Sequence, residues 1–181
     1  GLTPAFRVAD VPALANIHRE LQRMGYRPEQ PTQVQTGSAR HMLQVLAPGQ
    51  AMLTAQPTSA WSNVYLAPGF DPVDGAHRVQ ALSRSTCVVY ASLADAQGPA
   101  AAGTASFGHG WAGIHGMRTA LRCRGRGLAR QILASLAQEA IARGFDRVFL
   151  QVDEGSTAAL ALYQRVGFVS AWRYHYWRIP R

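Results

Sequence analysis

Lysine is absent from this chain of 181 residues. All 18 basic residues are arginine, against 10 acidic ones, and the formal net charge is +8. This lysine-free, alanine- and arginine-rich composition suggests a GC-rich bacterial genome. Cysteine is scarce too. Cys87 and Cys123 make neither a metal-ligand spacing nor a disulfide framework, which excludes a disulfide-stapled scaffold and fits a reducing compartment. No apolar run reaches the ~18 residues of a membrane span, and the N-terminus lacks a signal-peptide pattern, so a cytoplasmic protein is expected. Charged residues make up only 15% against 48% hydrophobic ones. That balance excludes a disordered or fibrous chain, and the length allows one substantial core, or one core plus a partial second.

What is there begins with arginine. Arg118, Arg122, Arg124, Arg126 and Arg130 fall within thirteen residues. A basic protein can bind nucleic acid, but there the charge forms a long stripe along a phosphate backbone. The other arginines are scattered, so the cluster points to a local anion.

The second half of the chain reads as regular elements. Residues 101–107 and 112–119 read as strands joined by the turn Gly108-His109-Gly110. A helix over 128–143 follows from the apolar stripe Leu128, Ile132, Leu133, Leu136, Ala140 and Ile141, and Arg143-Gly144 closes it. Residues 147–152 read as a buried strand, 156–166 as a second helix stopped by Gly167, and Trp172–Trp177 as a last strand. The beginning echoes this ending: a strand over 6–8, a helix over 11–24, then Gly25. Gln22-Arg23-Met24-Gly25-Tyr26 and Gln164-Arg165-Val166-Gly167-Phe168 share one pattern. A degenerate repeat is one reading of it. The other is the common helix stop of glycine followed by a packing aromatic. Residues 48–59, rich in proline, glycine, serine and threonine, are expected to be a linker.

The chemistry centres on Arg122-Cys123-Arg124-Gly125-Arg126-Gly127-Leu128-Ala129, between a strand and the long helix. Glycines at 125 and 127 let backbone approach a ligand, and the helix start offers free N–H groups and a positive dipole end to a pyrophosphate. Neighbouring arginines, Arg130 among them, add charge-assisted contacts. The run is neither a P-loop nor a dinucleotide fingerprint.

With its surroundings the segment resembles the GNAT superfamily of N-acetyltransferases. Arg122-x-x-Gly125-x-Gly127 is similar to that family's R/Q-x-x-G-x-G/A motif, and Ala159-x-x-Leu162-Tyr163-x-x-x-Gly167-Phe168 to its A-x-x-L-Y-x-x-x-G-F helix. The resemblance implies an α/β (α+β) fold: a mixed, mostly antiparallel sheet with splayed central parallel strands, flanked by helices. It also implies three segments. Residues 60–181 would be the acetyltransferase domain, 48–59 the linker, and 1–47 a partial, degenerate GNAT-like tail of an N-terminal repeat.

The implied function is transfer of an acetyl group from acetyl-CoA to a small-molecule or peptide amine by direct attack on the thioester. A CoA sensor without turnover and an arginine-rich nucleic-acid binder are the alternatives. Main-chain groups of Gly125, Arg126, Gly127, Leu128, Ala129 and Arg130 would cradle pyrophosphate, with Arg122 and Arg124 beside them. Met117, Arg118 and Thr119, at the end of the preceding strand, would meet the pantetheine arm. Tyr163 is the implied general acid for the departing thiolate. His115 is the first candidate base, placed by strand alternation on one face with Gly113, Met117 and Thr119; His109 and Glu154 are weaker ones. Ser156 stands where the family frequently has asparagine, and is expected to cap its helix and offer a hydroxyl to the cofactor.

Overall fold

A computed structural model describes residues 4–180. The outermost ends of the expected segments, residues 1–3 and 181, lie outside the described residues. The chain begins with β1 (Phe6–Ala9), a 3₁₀ turn (Pro12–Leu14), α1 (Ala15–Arg23), β2 (Arg27–Ser38) and α2 (Ala39–Val45). Then come β3 (Met52–Thr54), α3 (Ser59–Ser62), α4 (Pro72–Ser83), β4 (Val88–Asp95), β5 (Gly98–Gly108) and β6 (Trp111–Thr119). A 3₁₀ turn (Leu121–Cys123), α5 (Leu128–Ala142), β7 (Arg147–Asp153), α6 (Thr157–Arg165) and β8 (Val169–Arg178) complete it. The result is a mixed α/β fold with mostly antiparallel strands. Among the described residues no helix is long and apolar enough to cross a membrane.

Two compact units share these elements. One takes in the chain up to Thr36 and again from Leu150 onward; the other is Gly37–Phe149, so β7 passes from one to the other. The division differs from the expected one at residue 47, because the last two elements of the expected acetyltransferase domain share a unit with the N-terminal segment.

In the first unit the strand order is β1-β8-β2-β7. β8 is antiparallel to both neighbours, with Phe6 opposite Trp177 and Val34 opposite Trp172. Leu21, Tyr26 and Trp177 form its buried cluster, with Val8 against it, and His18 stacks on Trp177 at 5.4 Å. The two matched helix ends share one closure. The Gly25 amide donates to the Gln22 carbonyl and that of Tyr26 to Leu21, at 3.0 and 2.9 Å. The Gly167 amide donates to Gln164 and that of Phe168 to Tyr163, at 3.1 and 3.0 Å. Both glycines are left-handed, at φ 87° and 91°, as this pair of bonds requires.

In the second unit β6-β5-β4-β3 form an antiparallel meander. The tight β5–β6 turn uses His109 and Gly110, both at positive φ. One side of the meander takes α5, whose Ile132, Leu133, Leu136, Ala137 and Ala140 are buried. Gly103 on β5 allows that approach, since a Cβ there would meet Ile132 Cγ2 at 2.6 Å and Met117 Sδ at 2.7 Å. A separate cluster joins Trp61, Val64 and Tyr65 to Val88, Tyr90 and Ala102, and the Trp61 indole donates to the Gly103 carbonyl at 3.1 Å. Gly144 closes α5 in the same manner as Gly25 and Gly167 close theirs.

The stretch expected to be a linker is not loose. The Gly49 amide donates to Gln138 Oε1 and that of Ala51 to Ser135 Oγ, both on α5. Residues 52–54 pair with β4, and Thr58 caps α3. Composition alone misled here, because short polar residues serve docking and capping as well as flexibility.

Candidate functional site

The glycine-arginine turn is anchored before it is open. Ala120, just after β6, has its amide on the Ala100 carbonyl at 2.9 Å, and Cys123 is fully buried in a small cluster with Ala100 and Ala120, against Ala67 and Leu128. Cys123 is thus an apolar peg. Beyond it residues 124–127 are exposed. Gly125 and Gly127 are left-handed at φ 75° and 76°, and a Cβ on either would meet nothing within 4 Å. Gly127 is the N-cap of the 15-residue α5 and supplies no side-chain acceptor. Within their own unit, among the described residues, the amides of Gly125, Arg126, Gly127, Leu128 and Ala129 donate to no protein acceptor. Five consecutive unfilled donors at the positive end of a helix form an arrangement that favours an anion. A cavity of about 260 Å³ lies beside them, lined by Gly127, Arg130, Gln131, Leu46 and Ala47.

The arginines divide into two kinds. Arg122 and Arg126 both bind Asp95, at the end of β4, with N···O distances of 2.8 Å. Arg122 also donates to the Gly98 and Pro99 carbonyls at 3.2 and 3.1 Å. The guanidinium expected to meet a phosphate is therefore engaged within the protein, on Asp95 and two carbonyls of the β4–β5 turn. The two guanidiniums, Arg122 first, hold the Asp95 carboxyl well below the usual carboxylate range. Arg124 and Arg130 are exposed, and no ion pair among the described residues includes either. Arg118 lies over Phe70 at 4.4 Å, with Asp74 at 3.5 Å.

β6 carries the main correction. Thr104 stands opposite His115 and Ala102 opposite Arg118, so Gly116 and Met117 together face the single residue Gly103. This is a bulge, and Gly116 at φ 60° forms its left-handed turn. One extra residue reverses the side-chain alternation beyond it. His115 and Gly113 therefore share a face with Arg118, the face of the Trp61–Tyr65 cluster, while Thr119 and Met117 lie on the α5 face. The expected common face of His115, Met117 and Thr119 does not exist. The Tyr65 hydroxyl pins the bulge by donating to the Gly116 carbonyl at 2.5 Å, and burial pushes the Tyr65 pKa up.

His115 is half-buried, with Nε2 3.0 Å from Ser106 Oγ and its ring edge-on to Phe149 at 5.7 Å. Burial pushes the imidazole pKa down, so the ring is neutral and able to accept a proton at neutral pH. His109 stands at an exposed turn tip.

In the other unit, Tyr163 is 6% exposed and meets Phe168 edge-on at 5.8 Å. Burial pushes its phenol up to about 12, which keeps the proton on the oxygen. Glu154 is held by Gln33 and faces Arg173 at 3.9 Å. Ser156 begins α6 but its side chain makes no capping bond, contrary to expectation. Its backbone at φ −83°, ψ 62° is not the extended conformation that aims an N-cap hydroxyl at the first turn.

Comparison with known proteins accords with this geometry. Residues 54–168 match the model of the acetyltransferase (GNAT) family. YobR of Bacillus subtilis (strain 168), described as an uncharacterized N-acetyltransferase, is 30% identical over 128 residues, covering 70% of this chain and 51% of that protein. A mycothiol acetyltransferase of Salinispora arenicola is 47% identical over 55 residues, 30% of this chain and 18% of that enzyme. The chain thus spans about half the length, or less, of these curated relatives. Among solved structures, a tandem GNAT protein from the clavulanic acid biosynthesis pathway superposes with a TM-score of 0.71 at 13% identity, over 96% of this chain and 62% of that one. At that identity the likeness is one of fold. With a family model covering well over half its length, this chain belongs to the acetyltransferase (GNAT) family.

Proposed function

We propose that this protein transfers the acetyl group of acetyl-CoA to an amine. The observation that carries the reading is the run of five amides, Gly125 to Ala129, without acceptors in their own unit and opening α5 beside left-handed glycines. Such a donor set fits a pyrophosphate by number, direction and charge, and the free guanidiniums of Arg124 and Arg130 suit the cofactor's other phosphate. Acetyl-CoA supplies the activated thioester. Around it the chain binds and moves protons. Main-chain groups of Met117 and Thr119 pair with the pantetheine arm, as the family resemblance implies. Neutral His115 takes the proton that the attacking ammonium must lose, directly or through water. Tyr163 protonates the departing thiolate, for which a neutral phenol is required. Arg118, fixed over Phe70, contributes its backbone alone.

The N-terminal segment is, on this reading, the remnant of a second GNAT-like repeat. Its support is the shared helix closure and a strand order, β1-β8-β2-β7, that becomes its own reverse when β1 is exchanged with β7, the strands before the matched helices, and β2 with β8, the strands after them. A bacterial cytoplasm suits the free thiols of Cys87 and Cys123 and the bacterial relatives.

Calorimetric titration with acetyl-CoA and a thiol-release assay over an amine panel test the proposal. Binding and turnover are expected, and Gly125→Glu should abolish both by placing a carboxylate among the amides. Absence of binding by the unaltered protein overturns the reading. Binding with no turnover on any amine makes the protein a sensor, and retention on DNA with a steep salt dependence would favour the nucleic-acid alternative.

A further inference from the structure

We propose that Asp95 is a positioning residue for the donor site: it latches the 122–126 turn so that the Gly125–Ala129 amides are preset for phosphate. The inference rests on the acetyl-CoA reading above and adds a residue to it, 27 positions before the motif.

Asp95 ends β4 at the β4–β5 turn, where the Gln97 amide donates to its Oδ1 at 3.0 Å. That bond and the strand pairing of Asp95 with Gly98 fix the carboxylate on a rigid hairpin. From there it receives Arg122 Nη1 on both oxygens, at 2.9 and 2.8 Å, and Arg126 Nη1 on Oδ2 at 2.8 Å. The Cys123 thiol lies 3.5 Å away. Three residues of the turn thus converge on one carboxylate. Arg122 adds the carbonyls of Gly98 and Pro99, so both its Nη nitrogens are engaged on the same hairpin. Gly125 and Gly127 are the flexible members of the turn, and they sit between and just after the two latched arginines. A loop with two glycines would otherwise sample many conformations, and ordering it on binding would lower affinity. The latch restricts it beforehand.

A rival view predicts the opposite sign. If Asp95 merely neutralises two arginines meant for phosphates, removing its charge should free Arg122 and Arg126 and tighten binding. The two views separate on Asp95→Asn, which keeps size and shape. Wild-type binding is measured first; if the wild type does not bind acetyl-CoA, the functional reading fails and the latch is not at issue. Given wild-type binding, D95N should raise the acetyl-CoA Kd and KM by about ten- to a hundredfold, the scale of a misplaced binding group. kcat at saturating acetyl-CoA should stay unchanged. S-acetylpantetheine lacks the pyrophosphate, so its kcat/KM should be the same in D95N and wild type. A general loss of structure would lower both donors' rates together. Arg122→Gln cuts the latch from the other side and should reproduce the same split, and the double variant should be no worse than either single one. If D95N does not fold, R122Q carries the measurement alone. Unchanged or tighter acetyl-CoA binding in the soluble variants, or equal losses with both donors, overturns the inference.

Discussion

Three glycines in one unit offer a controlled test of the donor site. Gly110, Gly125 and Gly127 have φ values of 77°, 75° and 76°, and a Cβ on any of them meets nothing within 4 Å. Replacement by alanine therefore brings the same backbone strain at each site and no clash. Placing an L-residue in the left-handed region costs roughly 1–2 kcal/mol, slightly offset by the lower entropy of the unfolded chain. All three variants should lose about 1 kcal/mol in urea denaturation, a drop of roughly 2–4 °C in Tm for a chain of this size. Their binding should differ. The open space at 125 and 127 is the approach to the amides, whereas that at 110 lies at the β5–β6 turn. A methyl that displaces one charge-assisted N–H contact removes about 1.5–3 kcal/mol of interaction. Gly125→Ala and Gly127→Ala should therefore weaken acetyl-CoA about ten- to a hundredfold in calorimetric titration. Gly110→Ala should bind as the wild type does. If all three bind equally well, the amides are not the phosphate cradle and the reasoning fails, whatever the stability data show.

The remaining expectations concern proton transfer. His115 has a folded pKa below the ordinary ~6.5 because burial disfavours the imidazolium. On the proposed role its neutral form is the base, so kcat/KM should be level near neutral pH and fall on an acid limb below 6.5. His115→Ala should remove that limb, and an unchanged profile would exclude the histidine. The same sign governs folding: the stability from burying the neutral ring is present above the unfolded pKa and lost as pH falls through the depressed one. Tyr163→Phe keeps the buried ring and should leave urea stability and acetyl-CoA affinity near wild type while lowering kcat about a hundredfold or more, the range of general acid catalysis. An unaltered kcat retires the phenol as acid.

Local pattern made much of this legible. Helical spacing located α5 and α6, strand chemistry located β5 to β8, and Gly25, Gly144 and Gly167 marked helix ends that share one closure. Those signals are short-range, and so is the motif itself. What escaped depends on partners distant in sequence. Asp95 is an ordinary turn residue until Arg122 and Arg126 fold onto it. The face assigned to His115 was wrong because a period of two holds only in an unbroken ladder. Gly116 inside β6 was the available signal for a bulge, since glycine in a strand interior often marks one. Ser156 stands at the N-cap position of α6 without a side-chain capping bond, because residue type favours capping but only backbone angles permit it. Tyr65, which pins the bulge, lies in no motif; only the fold brings it to Gly116.

The same contrast decides what the N-terminal residues are for. Sequence resemblance sets them apart from the acetyltransferase segment, yet β8 is flanked on both sides by them, by β1 and by β2. Trp177 on β8 is 3% exposed because Leu21, Tyr26 and His18 cover it. A chain beginning at Gly37 would leave both ladders of β8 open and uncover this tryptophan. Re-exposing one buried indole costs about 5 kcal/mol at ordinary transfer values. That is comparable with the whole stability of a typical domain, roughly 5–15 kcal/mol, before any unpaired backbone is counted. The shortened chain should therefore aggregate or unfold without a cooperative urea transition. An open, aromatic-rich strand is also a template for association. If the shortened chain instead stays monomeric, unfolds cooperatively near the wild-type midpoint and binds acetyl-CoA, then β1, α1 and β2 are an appendage and the two-sided pairing of β8 contributes nothing to the fold.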